Sequence, residues 1–240
     1  MSKEAKLYLN SVAAAGLLML VDCAVPWKFF NVAEFLSYLI VACIAANCRL
    51  RLPGLAEGQS LAFAIVVIAI ANLPLPETLI VGSVAVLVEA LWKPRVRPVA
   101  GRVPVLLGAC TISIVIAHNI CEWPGVATLL DVELTAFAGA ALYLAANGSL
   151  IASAVAITEN FPFLSVWRAW FIGALPYYLA GAAIAAFISR ANPWIDWNAT
   201  LTLLAPLFVI FWSYRQVVDD WGSRSDTVRA IARSSNFPDY

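Results

Sequence analysis

Long apolar blocks, broken by proline and glycine, run from Leu7 to Tyr214 and leave little polar sequence between them. A helix crosses the hydrocarbon layer of a bilayer with about 20 mainly apolar residues, over a range of about 17 to 25. Eight blocks approach or meet that length: Leu7 to Val25, Val32 to Cys48, Leu55 to Asn72, Pro76 to Trp92, Val103 to Cys121, Glu133 to Thr158, Val166 to Ser189 and Ala199 to Tyr214. The breaks carry Pro26, Pro53-Gly54, Pro74, Pro94, Pro98, Pro124-Gly125, Pro162 and Pro193, residues that end helices or begin new ones. Lipid cannot hydrogen-bond a bare backbone, and the two-residue alternation of a membrane barrel is missing, so the expected fold is all-α, a polytopic helical bundle of about eight transmembrane helices. Composition agrees, with 62% of residues hydrophobic and 12% charged, against about a quarter charged in a soluble chain.

The zero formal net charge gives no sign of a nucleic-acid partner, so the placement of charge is what informs. With the N-terminus inside, the cytoplasmic connections hold Lys3, Lys6, Arg49, Arg51, Lys93, Arg95, Arg97, Arg102, Arg168, Arg215, Arg224, Arg229 and Arg233, thirteen basic residues, and the outer ones hold two, Lys28 and Arg190. Lysine and arginine stay in cytoplasmic loops, so both termini are expected in the cytoplasm and the chain in a bacterial inner membrane. The third block has a clean apolar core only from Leu61 to Ala71, and the Leu73-Pro74-Leu75-Pro76 link is tight, so blocks three and four also fit a re-entrant hairpin with six full spans; charge counting does not separate the two. Residues 1–215 are read as the transmembrane domain and 216–240 as a short cytoplasmic tail, in which Ser225-Asp226 would cap a helical turn. The first apolar block, with Asp22 just before Cys23, reads as a retained helix rather than a cleaved signal.

The five cysteines show no CxxC spacing and the one histidine is His118, so no metal site and no cofactor is expected; the thiols read as small buried hydrophobes, with a Cys23 to Cys121 disulfide the weaker reading. No GxSxG, HExxH, phosphate-loop or dinucleotide fingerprint occurs, and an enzyme is not expected.

Ionisable groups within a span are functional candidates by default. Glu89 precedes Lys93 by four residues, the favourable order for a helical pair. Glu77 follows Pro76 at a helix start and Glu34 follows Asn31 at another, where a carboxylate offsets the helix dipole. Asp22, Glu34, Glu77, His118 and Glu122 nonetheless all project to the outer half of the bundle, and His118 and Glu122 share a helix face at four-residue spacing. A lone histidine near an interface is ordinarily solvated; the functional alternative is a ligand pocket formed by Glu34, Glu77, His118 and Glu122, with Tyr177 beside the kink expected at Pro176. Asn47, Asn72, Asn119 and Asn147 are expected to join helices through their amides, and the small residues from Gly139 to Ala185 to let the sixth and seventh helices pack closely.

The order of segments adds a resemblance. Arg51-Leu52-Pro53-Gly54-Leu55, LPLPETLIVGSVAVLVEALWKPRVRP from Leu73, ANGSLIASAVAITENFPFLSVWRAWFIGALPYYLAGAAIA from Ala146, and Ser213-Tyr214-Arg215 together resemble the bacterial membrane-associated sensor (MASE-like) regions that precede cyclic-di-GMP signalling domains. The resemblance, over about Leu7 to Arg215, implies a sensor or signalling-input module of the lipid bilayer that passes a signal to a cytoplasmic cyclic-dinucleotide signalling enzyme. These 240 residues carry no GGDEF motif or HD pair, so the resemblance implies no catalytic residue here. The competing expectation is a small-molecule permease or the membrane component of an uptake transporter, for which a compact bundle with polar groups at one depth is also suited.

Overall fold

The computed structural model describes residues 3–24, 31–47, 49–50, 59–60, 62–91, 102–124 and 131–168, together with single positions between 171 and 186. The chain divides into two compact units, Met1–Trp194 and Ile195–Tyr240, and the described residues all belong to the first. They form six long helices: α1 Lys3–Ala24, α2 Val32–Asn47, α3 Ala62–Asn72, α4 Leu75–Leu91, α5 Arg102–Cys121 and α6 Val132–Glu159. A short helical stretch at 163–168 follows α6. The expected seventh helix is described only in part, and the eighth, the tail and the loop from Lys93 to Gly101 lie outside the described residues.

The all-α expectation holds for the described residues with one exception. Between α2 and α3, β1 (Arg49–Leu50) and β2 (Gln59–Ser60) pair antiparallel, Arg49 opposite Ser60 and Leu50 opposite Gln59. β2 lies in sequence expected to be helical from Leu55, and α3 as described is the 11 residues Ala62–Asn72. At 1.5 Å per residue it extends about 16 Å. Elsewhere the boundaries move by a few residues: α1 starts four residues early, at Lys3, and Arg102, expected in the preceding loop, opens α5. α6 ends where Asn160 enters the left-handed region at φ 58 and ψ 36, a conformation asparagine tolerates, and Pro162 prevents continuation.

Cross-helix contacts fix the helix directions. Cys121 meets Thr135, and Cys110 meets Tyr143, so α5 and α6 run antiparallel. His118 reaches Leu73, and a Cβ on Gly82 would touch Ile114 and Cys110, so α4 runs antiparallel to α5. Cys121 and Ile70 flank Gly139 together, which sets α3 parallel to α5. In α1, Tyr8 donates to the Leu150 carbonyl at 3.1 Å, Val12 packs with Val105 and Ala109, and Gly16 meets Gly108, an order parallel to α5. The C-terminal ends of α1, α3 and α5 therefore gather with the N-terminal ends of α2, α4 and α6 at one end of the bundle, the His118 end.

The core is mainly apolar, as in a water-soluble protein, but the surface is apolar as well. Glu77, Thr78, Ser83, Thr111, Ser113 and His118 are buried, whereas Leu17, Val21, Ile40 and Ile44 are exposed and Leu18 is 71% exposed. Large aliphatic groups facing outward over polar groups facing inward suit an apolar solvent. Three helical segments, Lys3–Cys23, Val103–Cys121 and Phe137–Glu159, are long and apolar enough to cross a membrane. α1 and α5 meet backbone to backbone, since a Cβ on Gly16 would lie 2.3 Å from the Gly108 Cα and one on Gly108 2.3 Å from the Val12 carbonyl oxygen.

Three of the four asparagines expected to join helices direct an amide bond along their own helix. The Asn47 amide donates to the Cys43 carbonyl, Asn72 to Ile68 and Asn119 to Val115, each four residues back in its own helix. An amide directed along its own helix finds an acceptor without a neighbour, which is what an apolar surrounding requires. Cross-helix polar contacts come from Tyr8, Thr78, Cys110, His118, Cys121 and Trp167.

Candidate functional site

The site begins with the tight link between α3 and α4. Leu73 N–H still reaches the Ala69 carbonyl at 2.8 Å, but Pro74 supplies no N–H, so the carbonyls that follow draw on side chains for donors. Thr78, in the second turn of α4, lies with its hydroxyl 3.1 Å from the Ala69 carbonyl, 3.3 Å from Leu73 and 3.2 Å from Pro74. The Asn72 amide satisfies Ile68 at 2.8 Å. From α5, His118 Nε2 meets the Leu73 oxygen at 3.2 Å. A carbonyl only accepts, so Nε2 carries the hydrogen, and in the neutral ring Nδ1 is a bare acceptor.

That acceptor faces another. Nδ1 lies 3.3 Å from Glu122 Oε2, the pair expected from the four-residue spacing. No hydrogen bond satisfies Nδ1 among the described residues. His118 is 3% exposed, which corrects the expectation of a solvated imidazole: the α3–α4 hairpin tip and α5 enclose the ring, while Glu122 stays exposed.

Glu77 departs further from its bland reading. It is 1% exposed, and its Oε1 has no hydrogen-bond partner among the described residues. A carboxylate that only offsets a helix dipole would sit in solvent, whereas this one is enclosed against α2, where Glu34 lies within Coulombic reach. Glu34 itself is half-exposed and ordinary in its local bonding: its backbone N–H donates to Asn31 Oδ1 at 3.3 Å, and Asn31 Nδ2 returns a bond to its carboxylate at 3.3 Å, a reciprocal cap on the first turn of α2.

The structure thus brings Glu34, Glu77, His118 and Glu122 to one end of the bundle. Glu77 lies within Coulombic reach of Glu34, His118 pairs with Glu122, and Thr78, next to Glu77 in sequence, shares the Leu73 carbonyl with His118. Asp22, expected at the same depth, is exposed at the end of α1, and no hydrogen bond or ion pair among the described residues joins it to the others. Tyr177 and Lys93 lie outside the described residues. The sequence reading missed Thr78; its signal is a hydroxyl one turn after Pro74, on the helix opened by a proline link.

Chemically, this end is rich in acceptors and poor in positive charge. α2, α3 and α4 contain no lysine or arginine, and the only one on α5 is Arg102 at the opposite end. Among the described residues no group of three or more histidine, cysteine or acidic side chains is arranged to hold a metal ion. Cys23, Cys43, Cys110 and Cys121 are free thiols. No protein-family model, curated protein or solved structure matches this chain.

Proposed function

We propose that the chain is a membrane-embedded signalling-input module of a bacterial inner membrane, with eight spans, both termini in the cytoplasm and its receptive site at the His118 end. The enclosed Glu77 carboxylate with an unpartnered oxygen is the observation that carries this reading. An unsatisfied buried polar group costs about 1 to 3 kcal/mol, and retaining one at the junction of three helices is economical only where something binds or moves. The hairpin supports eight spans over six, because its tip at Leu73 reaches the level of His118, near the C-terminal end of α5, rather than stopping at half depth. A ligand at this end would change the seating of α3–α4 on α5, and that change is the signal the module would pass on. The output partner on this reading is a cytoplasmic cyclic-dinucleotide enzyme.

Affinity isolation of the intact tagged chain from bacterial membranes tests the reading. Co-isolation of cyclic-di-GMP synthesis or hydrolysis that depends on residues 216–240 is the expected result. Recovery of an energising ATPase pair would assign the chain to uptake transport instead, and recovery of neither would remove the signalling role.

A further inference from the structure

We propose that Glu77, enclosed in the first turn of α4, and Glu34, in the first turn of α2, form a binding site for an ammonium-type cation, a small protonated amine. This rests on reading the His118 end as the receptive site and names the chemistry of what it receives.

Three observations select that class. First, the unfilled group is an acceptor: Glu77 Oε1 is buried without a hydrogen-bond partner among the described residues, and Glu34 brings a second carboxylate within Coulombic reach. A ligand matching them has to bring hydrogen-bond donors and positive charge, and α2, α3 and α4 offer no lysine or arginine as an internal substitute. Second, the described residues contain no set of three or more metal-ligating side chains. A bare metal ion would be left with a sparse shell, whereas an N–H cation is satisfied by two or three directional acceptors. Third, Tyr38 lies one turn beyond Glu34 on α2, buried and within Coulombic reach of that carboxylate. An aromatic ring beside paired carboxylates is the environment in which an alkylated ammonium is favoured over a strongly hydrated alkali ion.

The test uses the full chain in lipid nanodiscs, with methylammonium and sodium titrated at constant ionic strength and binding read by calorimetry and thermal shift. Methylammonium is expected to bind and to raise the melting temperature, and sodium is not. Glu77→Gln is expected to weaken methylammonium by about tenfold or more, Glu34→Gln by less, and Tyr38→Leu more than Tyr38→Phe. The melting temperature without ligand shows whether each variant folds, and Glu34→Gln, on a half-exposed position, keeps the test decisive if Glu77→Gln does not. Equal response to sodium and methylammonium, binding unchanged in the folded carboxylate variants, or no methylammonium binding would each overturn the proposal. An impermeant fluorophore at Arg215→Cys, in a variant without native cysteines, separates this proposal from the signalling role. Binding without a change at that position leaves the amine site standing and overturns the sensor.

Discussion

His118 reaches across 45 residues of sequence to hydrogen-bond the Leu73 carbonyl at 3.2 Å. The bond ties the tip of the α3–α4 hairpin to α5 and fixes the orientation of the imidazole. It commits Nε2 to backbone, while the other ring nitrogen, Nδ1, lies 3.3 Å from Glu122 Oε2.

His118→Ala is therefore expected to loosen the hairpin, costing about 1 to 3 kcal/mol because the Leu73 carbonyl loses its imidazole donor inside the bundle. Thr78→Val, which keeps the shape and deletes the hydroxyl, is expected to cost about 0.5 to 1.5 kcal/mol. The two share the Leu73 oxygen, so their effects should be non-additive. Unfolding of the single and double variants in detergent measures all three terms, and strict additivity would show that the shared carbonyl does not couple them.

Glu77→Gln should behave in the opposite direction when no ligand is present. The side chain keeps its size while an enclosed acidic group becomes a neutral amide. Ligand-free stability is expected to stay level or to rise by about 1 kcal/mol, since the carboxylate has an oxygen with no partner to lose. A clear drop in thermal stability would mean that the acid makes a structural contact, contrary to the picture of an unfilled site.

The α1–α5 crossing is the tightest contact between helices named here, and its substitution effects follow from distance. Gly108→Val should force α1 away, because even a Cβ there would lie 2.3 Å from the Val12 carbonyl oxygen, and overpacking of this kind costs about 1 to 3 kcal/mol or more. Gly139→Ala should be milder, since its Cβ would meet Cys121 Sγ at 3.0 Å and Ile70 Cγ2 at 3.7 Å, side-chain ends with some room to give. Comparison of the two melting temperatures checks the order.

What the sequence made legible and what it hid follow from the same physics. The helices were readable because each apolar block has to satisfy its own backbone, and four-residue spacing placed Glu122 beside His118. The β1–β2 pair was not readable, because two paired residues leave no periodic signal. Burial of His118 and Glu77 was hidden because it depends on how the hairpin seats on α5, and the Leu73 carbonyl that organises the site is backbone, invisible to residue type. The own-helix bonds of Asn47, Asn72 and Asn119 were not foreseen, because the preference for joining helices competes with an acceptor always present four residues back.

The remaining prediction concerns direction across the membrane. The described helices alternate in direction, so the Lys3 end of α1, the Asn47 end of α2, the Leu91 end of α4 and the Arg102 end of α5 share one end of the bundle. Lys3, Lys6, Arg49 and Arg102 belong to that end by sequence, as do Lys93, Arg95 and Arg97 in the connection from α4 to α5. The opposite end carries Asp22, Glu34, Glu77, Glu122 and Asp131, with Lys28 in its first connection. Because lysine and arginine are retained on the cytoplasmic side, the basic end is expected to face inward and the acidic site outward. A cysteine placed at Glu122 in a variant without native cysteines is expected to react with a membrane-impermeant maleimide added outside intact cells, whereas one at Lys6 should react only after permeabilisation. Neutralising Lys93, Arg95, Arg97 and Arg102 together should erode this difference, because those four supply most of the charge bias near the middle of the chain. Labelling of Lys6→Cys from outside intact cells would reverse the orientation and place the acidic site in the cytoplasm.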